Sequence, residues 1–185
     1  MSRPVVLAVS GSLRAESSNT GLVRVLERLA GDELEVRVDS SIGSLPFYNA
    51  DLDTDATLPP SVRLWRDAVA GCDVLWIAAP EYNFGPTAVL KNAVDWVTRP
   101  LGQHALRGKI VSIVSSAGST GGRHMTEQLS GILALLGNTV VAEPAVHIEK
   151  GADRISVDGR VTDPAIDEAM AGRIAAVRAA LAARS

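Results

Sequence analysis

The order of short apolar runs and helix-like segments along this 185-residue sequence predicts a doubly wound α/β fold. Five strand-like runs alternate with five helix-like segments, which implies a parallel sheet with helices on both faces. Right-handed crossovers leave few topologies for such an order, and the strand order 2-1-3-4-5 is one of the two common solutions. We see no repeat, linker or second domain, so we expect a single domain over residues 1–185.

The first elements are predicted from a clear change of pattern. Residues 5–10 are almost wholly apolar, which is typical of a central strand. Residues 19–30 place leucine and valine side chains on one helical face and precede Gly31, at the position of a helix-ending glycine. Residues 34–38 alternate strictly between polar and apolar, which favours an edge strand. A loop rich in Ser, Asp and Pro then covers roughly residues 39–60.

The middle of the chain continues the alternation. Residues 61–71 are predicted as a helix that starts after two prolines, and residues 73–79 as a buried strand. Residues 87–98 carry Leu, Ala and Val side chains at helical spacing, and residues 109–115 form the next apolar strand. The helix predicted at 122–136 has apolar residues at spacings of four, three and four.

The last third of the chain completes the pattern. Gly137 and Asn138 end the fourth helix, and residues 139–142 open a fifth strand whose extension towards His147 is left open. A hairpin-like turn at 157–161 comes before the last helix, which begins around Pro164 and carries a buried apolar stripe.

Three loops of the predicted fold are expected to line one site. Ligands bind to open α/β sheets beyond the carboxyl ends of the strands, at the point where the strand order reverses. The order 2-1-3-4-5 places this point between strands 1 and 3. The loops after strands 1, 3 and 4 should therefore converge, and we call them loop 1 (residues 10–20), loop 2 (residues 80–86) and loop 3 (residues 115–122).

Loop 1 carries five hydroxyl groups, one amide and one arginine, and it opens directly onto a helix. A helix N-terminus presents unpaired N–H groups that suit a phosphate, and Arg14 adds positive charge. The loop has neither the G-x-G-x-x-G spacing of dinucleotide-binding folds nor the G-K-[ST] of a P-loop. Its lack of cysteine argues against a thiolate phosphatase. We predict phosphate binding here, with an ordinary Ser/Asn-rich turn as the alternative.

Loop 2 places Glu81, Tyr82, Asn83 and Phe84 where a strand meets a helix. An isoalloxazine ring needs a flat apolar surface and hydrogen-bonding groups along its pyrimidine edge. The aromatic side chains can supply the surface, and Asn83 and backbone groups can supply the hydrogen bonds. The alternative is a polar turn anchored by its two aromatic residues.

Loop 3 is rich in glycine and serine. Glycine lets the backbone approach a ligand closely. The next helix is expected to begin at about Gly122, and its free N–H groups could face negative charge on a reduced flavin. A glycine-rich loop is a weak signal by itself, and its position in the predicted fold strengthens it.

Four segments in the same order along the chain resemble the NADPH-dependent FMN reductase family, which includes quinone, chromate and azo-dye reductases of flavodoxin-like fold. The stretch from Pro80 to Trp96 is the most specific part of the resemblance. The segments are Gly11-Ser12-Leu13-Arg14 with Ser17 and Asn19, then Pro80-Glu81-Tyr82-Asn83, then Leu90-Lys91-Asn92-Ala93-Val94-Asp95-Trp96, and Ser116 through Gly122.

The resemblance implies FMN as cofactor, held by three sets of residues. The set expected at the phosphate is Ser10, Ser12, Arg14, Ser17, Ser18, Asn19 and Thr20. The set expected along the ring and ribityl chain is Pro80, Glu81, Tyr82, Asn83 and Phe84. The set expected near the pyrimidine edge is Ser115, Ser116, Gly118, Gly121 and Gly122.

The resemblance also implies an activity. Hydride passes from NADH or NADPH through FMN to a small acceptor, which in the family is a quinone, free flavin, azo compound or metal oxyanion. We nominate no catalytic side chain, because the flavin carries the chemistry. A homodimer or homotetramer is expected, with the flavin near a subunit boundary. Gly85-Pro86-Thr87-Ala88-Val89 departs from the family pattern, which bears on nicotinamide preference and acceptor range.

Two other classes of function stay open. A flavodoxin-type electron carrier would share the fold, but such carriers tend to be strongly acidic, whereas this chain has a net charge of −3. A non-catalytic FMN-binding or scaffold protein is the third class. The small net charge gives no reason to expect nucleic acid or an anionic membrane as partner.

The other polar residues of note have structural explanations. The alternating aspartates of residues 51–55 lack the glycine and distant glutamate of an EF-hand loop, so we expect a solvated acidic loop. His104, His124 and His147 show no metal-binding spacing, so we expect no metal site. A ligand or partner contact is the alternative for His124, which lies in the first turn of the helix after loop 3.

Cys72 is the sole cysteine, so no internal disulfide can form. We predict a buried structural thiol, which fits a reducing compartment. No apolar run reaches the length of a membrane span, and the first residues do not form a signal peptide. We therefore expect a soluble, cytoplasmic protein.

Overall fold

Strands and helices alternate in the computed structural model, which describes residues 3–100 and 102–184. The strands are β1 (Val5–Ser10), β2 (Glu35–Asp39), β3 (Val74–Ala78), β4 (Ile110–Ala117), β5 (Thr139–Val141) and β6 (His147–Glu149). The α-helices are α1 (Ser18–Ala30), α2 (Pro60–Ala70), α3 (Ala88–Val97), α4 (Arg123–Leu135) and α5 (Pro164–Ala182).

The sheet has the strand order β2-β1-β3-β4-β5, and each adjacent pair is parallel. The predicted doubly wound, flavodoxin-like topology is therefore confirmed. Every residue of β3 is buried, whereas no residue of the edge strand β2 is. Because β1, β3 and β4 are neighbours, loops 1, 2 and 3 all leave the same edge of the sheet.

The fifth position of the sheet is shared by two short strands. β5 pairs with residues 110–112 of β4, and β6 pairs with residues 115–117 of the same strand. The open question of an extension towards His147 is answered by an interruption at residues 142–146, after which the chain returns to β4 as a sixth strand.

A buried arginine occupies this interruption. Arg173 of α5 donates to the backbone carbonyls of Ile113, Val141, Ala142 and Pro144, at 2.8, 2.9, 2.7 and 2.9 Å respectively. Burial lowers the pKa of its guanidinium to about 10, which leaves it charged at neutral pH. The interruption leaves backbone carbonyl groups without hydrogen-bond partners in the sheet. The Arg173 side chain supplies donors for them.

Successive residues of each central strand face two separate cores. On β1, Val6 and Ala8 pack against α1 and α5, whereas Leu7 and Val9 pack against α2, α3 and α4. Helices therefore cover both faces, as predicted. No described helix has the length and apolar character needed to cross a membrane.

Cys72 lies buried at the end of α2, as the sequence predicts for a structural thiol. Its Sγ donates to the carbonyl of Val69 at 3.2 Å, and burial raises its pKa to about 11. The thiol is therefore protonated at neutral pH and is a poor nucleophile.

The acidic loop differs in part from its expectation. Asp51 and Asp55 are exposed, but the side chain of Asp53 is only 13% exposed and pairs with Arg66 at 2.8 Å. This ion pair fastens the 40–59 segment to α2. Within the described ranges, no three His, Cys, Asp or Glu residues lie close enough together to hold a metal ion.

Candidate cofactor site

Loops 1, 2 and 3 meet at the carboxyl edge of the sheet and line a cavity of about 240 Å³. A fourth segment, residues 150–152, completes its wall. The predicted residues that line it are Ser12, Arg14, Ser17, Ser18, Asn19, Pro80, Glu81, Tyr82, Ser116 and Gly118. The predicted residues outside the lining are Ser10, Thr20, Asn83, Phe84, Ser115, Gly121 and Gly122.

Loop 1 is held by hydrogen bonds between its own side chains and backbone. Ser17 caps α1, because its Oγ accepts from the backbone N–H of Thr20 at 3.3 Å. The Thr20 hydroxyl donates to Ser10 Oγ at 3.0 Å, and the N–H of Ser12 donates to the same Ser10 oxygen at 3.3 Å. Ser10 and Thr20 therefore stabilise the loop on the side away from the cavity, while the exposed Arg14 lies at the cavity wall.

Loop 1 is also tied to loop 3 across the top of the sheet. The buried amide of Asn19 forms two hydrogen bonds with the backbone of Ser116, one as donor and one as acceptor. The hydroxyls of Ser18 and Ser116 lie 2.8 Å apart. Because the Asn19 amide both donates to and accepts from the backbone of Ser116, this side chain positions the cavity wall.

Loop 2 contains a tight turn that exposes two aromatic rings. Tyr82 and Gly85 exchange backbone hydrogen bonds at 3.1 Å in both directions. The two residues between them, Asn83 and Phe84, have φ values of 50° and 65°. Positive φ at both central positions is the geometry of a type I′ turn, which suits asparagine and is rare for phenylalanine. Tyr82 and Phe84 are 51% and 65% exposed, so they offer apolar surface beside the cavity.

Glu81 fastens loop 2 to the start of α4. Its carboxylate accepts from the Thr120 hydroxyl at 2.8 Å and from the backbone N–H of Met125 at 3.0 Å. Burial by itself would raise the pKa of Glu81, but the hydrogen bonds from Met125 and Thr120, together with nearby His124, lower it overall. The carboxylate is therefore ionised at neutral pH.

This contact corrects the expectation for α4. The sequence suggested that the free N–H groups of this helix face a reduced flavin. In the structure, Glu81 takes the N–H of Met125, and the N–H of Gly122 donates to the Thr120 hydroxyl at 3.2 Å. His124, for which a ligand or partner contact was an alternative, packs edge to face against Phe84 with ring centroids 5.5 Å apart.

The glycines of loop 3 serve different purposes. A Cβ atom on Gly118 would meet no atom within 4 Å, so the space beside it is open. Gly121 and Gly122 have positive φ, and a Cβ would lie 2.9 Å from the backbone of His147 or 1.8 Å from Ser115 Oγ, respectively. Ser115 in turn donates to the carbonyl of Ala79 at 2.6 Å. Gly121, Gly122 and Ser115 thus shape the loop, while Gly118 leaves room for a ligand.

The Gly85–Val89 stretch is well packed in spite of its departure from the family pattern. The Thr87 hydroxyl is buried and donates to the carbonyl of Gly11 at 2.8 Å, which joins the start of α3, directly after loop 2, to loop 1. Val89 is partly buried and packs against the core beneath α3. The added bulk of Val89 therefore faces the interior.

Sequence reasoning missed the segment Lys150, Gly151 and Ala152, which lines the cavity beyond β6. A strand of three residues is too short to show a period, and the fifth strand was left open at His147. A usable signal was present, because Val146 and Ile148 alternate with the polar His147 and Glu149, as in a short strand, and a lysine and a glycine follow directly.

The donor set at the cavity fits FMN. Hydroxyl groups, the N-terminus of α1 and two cationic side chains suit a phosphate, and Gly118 borders open space. Pockets that enclose a whole small ligand measure about 300–1,000 Å³, so this smaller cavity suits the phosphate and ribityl chain. The exposed rings of Tyr82 and Phe84 provide a surface for the remaining flat part of the cofactor.

Comparison with known proteins identifies the family of the chain. A family model described as NADPH-dependent FMN reductase matches residues 4–153. The probable NADPH:quinone oxidoreductase 2 of Oryza sativa subsp. japonica is 33% identical over 178 residues, covering 94% of this chain and 87% of that protein. The 2-hydroxy-1,4-benzoquinone reductase of Burkholderia sp is 36% identical over 158 residues, or 84% of each chain.

Solved structures give the same result. FerB, a flavoenzyme NAD(P)H:(acceptor) oxidoreductase from Paracoccus denitrificans, superposes with a TM-score of 0.84 at 34% identity, and the match covers 94% of both chains. RosB superposes with a TM-score of 0.70 at 15% identity, which supports the fold. The chain therefore belongs to the NADPH-dependent FMN reductase family, and it is a flavodoxin-like NAD(P)H-dependent oxidoreductase that uses FMN.

Proposed function

We propose that FMN occupies the cavity between loops 1, 2 and 3 and that the physiological acceptor is a quinone. The observation that carries the placement is the convergence of hydroxyls, a helix N-terminus and cations on one small cavity beside two exposed aromatic rings. The quinone proposal is supported by the names of two relatives, a probable NADPH:quinone oxidoreductase and a benzoquinone reductase.

The phosphate would be held at the N-terminus of α1. The hydroxyls of Ser12, Ser17 and Ser18 line the cavity there, and Arg14 supplies a charge-assisted contact. Asn19 and Thr20 keep these groups in place through their contacts with Ser116 and Ser10. Little rearrangement is then needed on binding, which favours affinity.

The flavin ring would lie along loop 2. Glu81 joins the start of this loop to α4, and Thr87, directly after the loop, hydrogen-bonds to loop 1. The turn that carries Tyr82 and Phe84 is therefore held on both sides. The chemistry that bound FMN supplies is two-electron transfer between the nicotinamide and the acceptor. Glu81 is ionised and both its oxygens accept hydrogen bonds, so it has no proton to give at neutral pH. The proposal accordingly includes no catalytic side chain.

A homo-oligomer forms part of the proposal. Four of the exposed large apolar side chains belong to the site loops or to the adjoining 40–59 segment: Leu13, Phe47, Tyr82 and Phe84. Exposed apolar surface next to an incomplete cavity is typical of a subunit interface. Size-exclusion chromatography with light scattering measures the oligomeric state, and a monomer at micromolar concentration would count against the homo-oligomer. The single buried thiol fits a cytoplasmic location, which we propose as well.

Purified protein loaded with FMN tests the function directly. We expect NADPH or NADH to be oxidised in the presence of a benzoquinone, at a rate far above that of free FMN at the same concentration. Azo dyes, free flavin and a metal oxyanion are tested separately as alternative acceptors. Bound FMN without nucleotide oxidation would favour the electron carrier, and failure to bind FMN would favour the scaffold protein.

A further inference from the structure

Lys150 lines the candidate cofactor cavity on the side of β4 and β6, whereas loop 1 lines it on the side of β1. Arg14 follows β1, whereas Lys150 follows β6, which pairs with the far side of β4. The backbone N–H of Lys150 donates to the carbonyls of Ala117 at 2.8 Å and Gly118 at 3.2 Å. The residue is therefore fixed to loop 3.

The backbone at this lysine is unusual. Its φ is 48°, and the other non-glycine residues with positive φ in the described ranges are Asn83 and Phe84, which belong to loop 2. Residues in such conformations concentrate at functional sites. The next residue, Gly151, has no room for a side chain, because a Cβ would lie 2.2 Å from Ser116 Oγ. Gly151 therefore lies directly against Ser116 of loop 3.

The charges around the cavity favour an anionic ligand near Lys150. Arg14 and Lys150 are the cations that line it, and across residues 3–100 and 102–184 neither side chain has a hydrogen-bond or ion-pair partner. The one acidic residue in the lining, Glu81, is already engaged by Thr120 and Met125. By contrast, Lys91 on α3 is neutralised by Asp95 at 2.6 Å.

A short series of contacts connects Lys150 with the expected phosphate position. Gly151 packs on Ser116, whose hydroxyl lies 2.8 Å from that of Ser18, the first residue of α1. We propose that Lys150 is a second cationic ligand of the FMN phosphate, together with Arg14. A phosphate monoester carries a charge of about −1.5 to −2 at pH 7, which two cations balance. This inference rests on the proposed FMN site.

Titration of the FMN-free protein with FMN and with riboflavin, followed by flavin fluorescence, tests the proposal. Lys150→Asn removes the charge and retains a residue that tolerates positive φ. We expect it to weaken FMN binding about tenfold or more while riboflavin binding stays unchanged. Lys150→Arg should bind FMN nearly as well as the wild type. Arg63→Gln, which removes one exposed positive charge on α2 away from the site, should leave both affinities unchanged.

Three results would overturn the proposal. Unchanged FMN affinity in Lys150→Asn would remove the lysine from the phosphate site. Equal losses for FMN and riboflavin would point to packing or a ring contact. A raised KM for NADPH with unchanged FMN affinity would assign the lysine to the nucleotide phosphate. Circular dichroism of each variant checks folding, and a wild type that fails to bind FMN would reject the proposed function itself.

Discussion

Asn19 and Ser116 are joined by two hydrogen bonds that hold the candidate site together. Asn19 Nδ2 donates to the Ser116 carbonyl at 2.8 Å, and the Ser116 N–H donates to Asn19 Oδ1 at 2.9 Å. Asn19 is the second residue of α1, and Ser116 lies near the end of β4. The pair therefore sets the distance between the expected phosphate position and loop 3.

Replacing Asn19 with alanine should weaken both the fold and the site. The change leaves a buried N–H and a buried carbonyl of Ser116 without partners, at a cost of about 2–4 kcal/mol in the free energy of unfolding. Urea denaturation of the FMN-free protein measures this loss. FMN affinity should fall as well, because the two walls of the cavity lose their connection.

Asn138→Ala is the matched control for that variant. Asn138 also makes two hydrogen bonds with backbone groups, those of Lys109 and Leu133, but at the opposite end of β4. It should lower stability while FMN affinity stays near the wild-type value. Similar FMN affinities for the two variants would show that the Asn19 contact has no particular importance for the site.

Gly118→Val should mainly weaken FMN binding, whereas Gly121→Val should mainly lower the stability of the fold. The space beside Gly118 is open, so Gly118→Val should keep the stability of the FMN-free protein within about 0.5 kcal/mol of the wild type. It should nevertheless lose about 1.4 kcal/mol or more of FMN binding free energy, a factor of about ten. Gly121→Val should unfold readily, because the residue has positive φ and a Cβ would clash with His147. Thermal melts and FMN titrations separate the two, and normal binding by Gly118→Val would place the ligand elsewhere.

Arg14→Ala should reduce FMN affinity by about 1.5–3 kcal/mol, since it removes a charge-assisted contact with the phosphate. Riboflavin, which lacks the phosphate, should bind both proteins equally. Arg63→Ala on α2 removes one exposed positive charge away from the site and should change neither affinity. A loss of riboflavin binding in Arg14→Ala would refute the assignment of loop 1 to the phosphate.

Glu81→Gln should alter how stability depends on pH. The folded-state pKa of Glu81 lies below its ordinary value of 4.5, so the ionised group contributes stability that is fully present above that pH. This contribution is lost as the pH falls through the folded-state pKa. We expect Glu81→Gln to be less stable than the wild type at neutral pH and to approach it in acid, as followed by urea midpoints. Glu168→Gln, on the exposed face of α5, is the control and should be as stable as the wild type at neutral pH.

The fold could be predicted from local patterns because most of its signals are local. The helix start at Ser17 depends on a hydroxyl within one turn, and the burial of β3 follows from a continuous apolar run. The convergence of loops 1, 2 and 3 follows from strand order alone. These features need no knowledge of distant partners.

The remaining features depend on contacts between distant parts of the chain. No spacing in the sequence connects Glu81 with Met125, or Asn19 with Ser116. The sequence places Glu81 and Asn19 in the loops that line the cavity, but it does not show that their side chains also bind other elements of the fold. Lys150 was missed because its position depends on the register of a strand of three residues.

Arg173→Met should be strongly destabilising. The methionine side chain fills much of the volume of the arginine, but the backbone carbonyls at the strand interruption lose their hydrogen-bond donor. With four carbonyl groups affected, we expect a loss of at least about 3 kcal/mol in the free energy of unfolding. Calorimetry measures it, and Arg107→Met, an exposed arginine with one hydrogen bond to a loop carbonyl, is the control. A small effect would mean that water satisfies these carbonyls.

The interruption that Arg173 fills also determines the composition of the cofactor cavity. If the pairing of β5 with β4 continued without a break, Ser115 would lie beside Pro144, whereas in the structure it lies beside His147. The additional residues are accommodated because the buried guanidinium of Arg173 donates hydrogen bonds to their carbonyl groups. In an unbroken strand, Lys150 would lie three residues further beyond the end of β4 than it does in the structure. A side chain of α5 on the covered face of the sheet thus determines which residues of the chain line the candidate cofactor cavity.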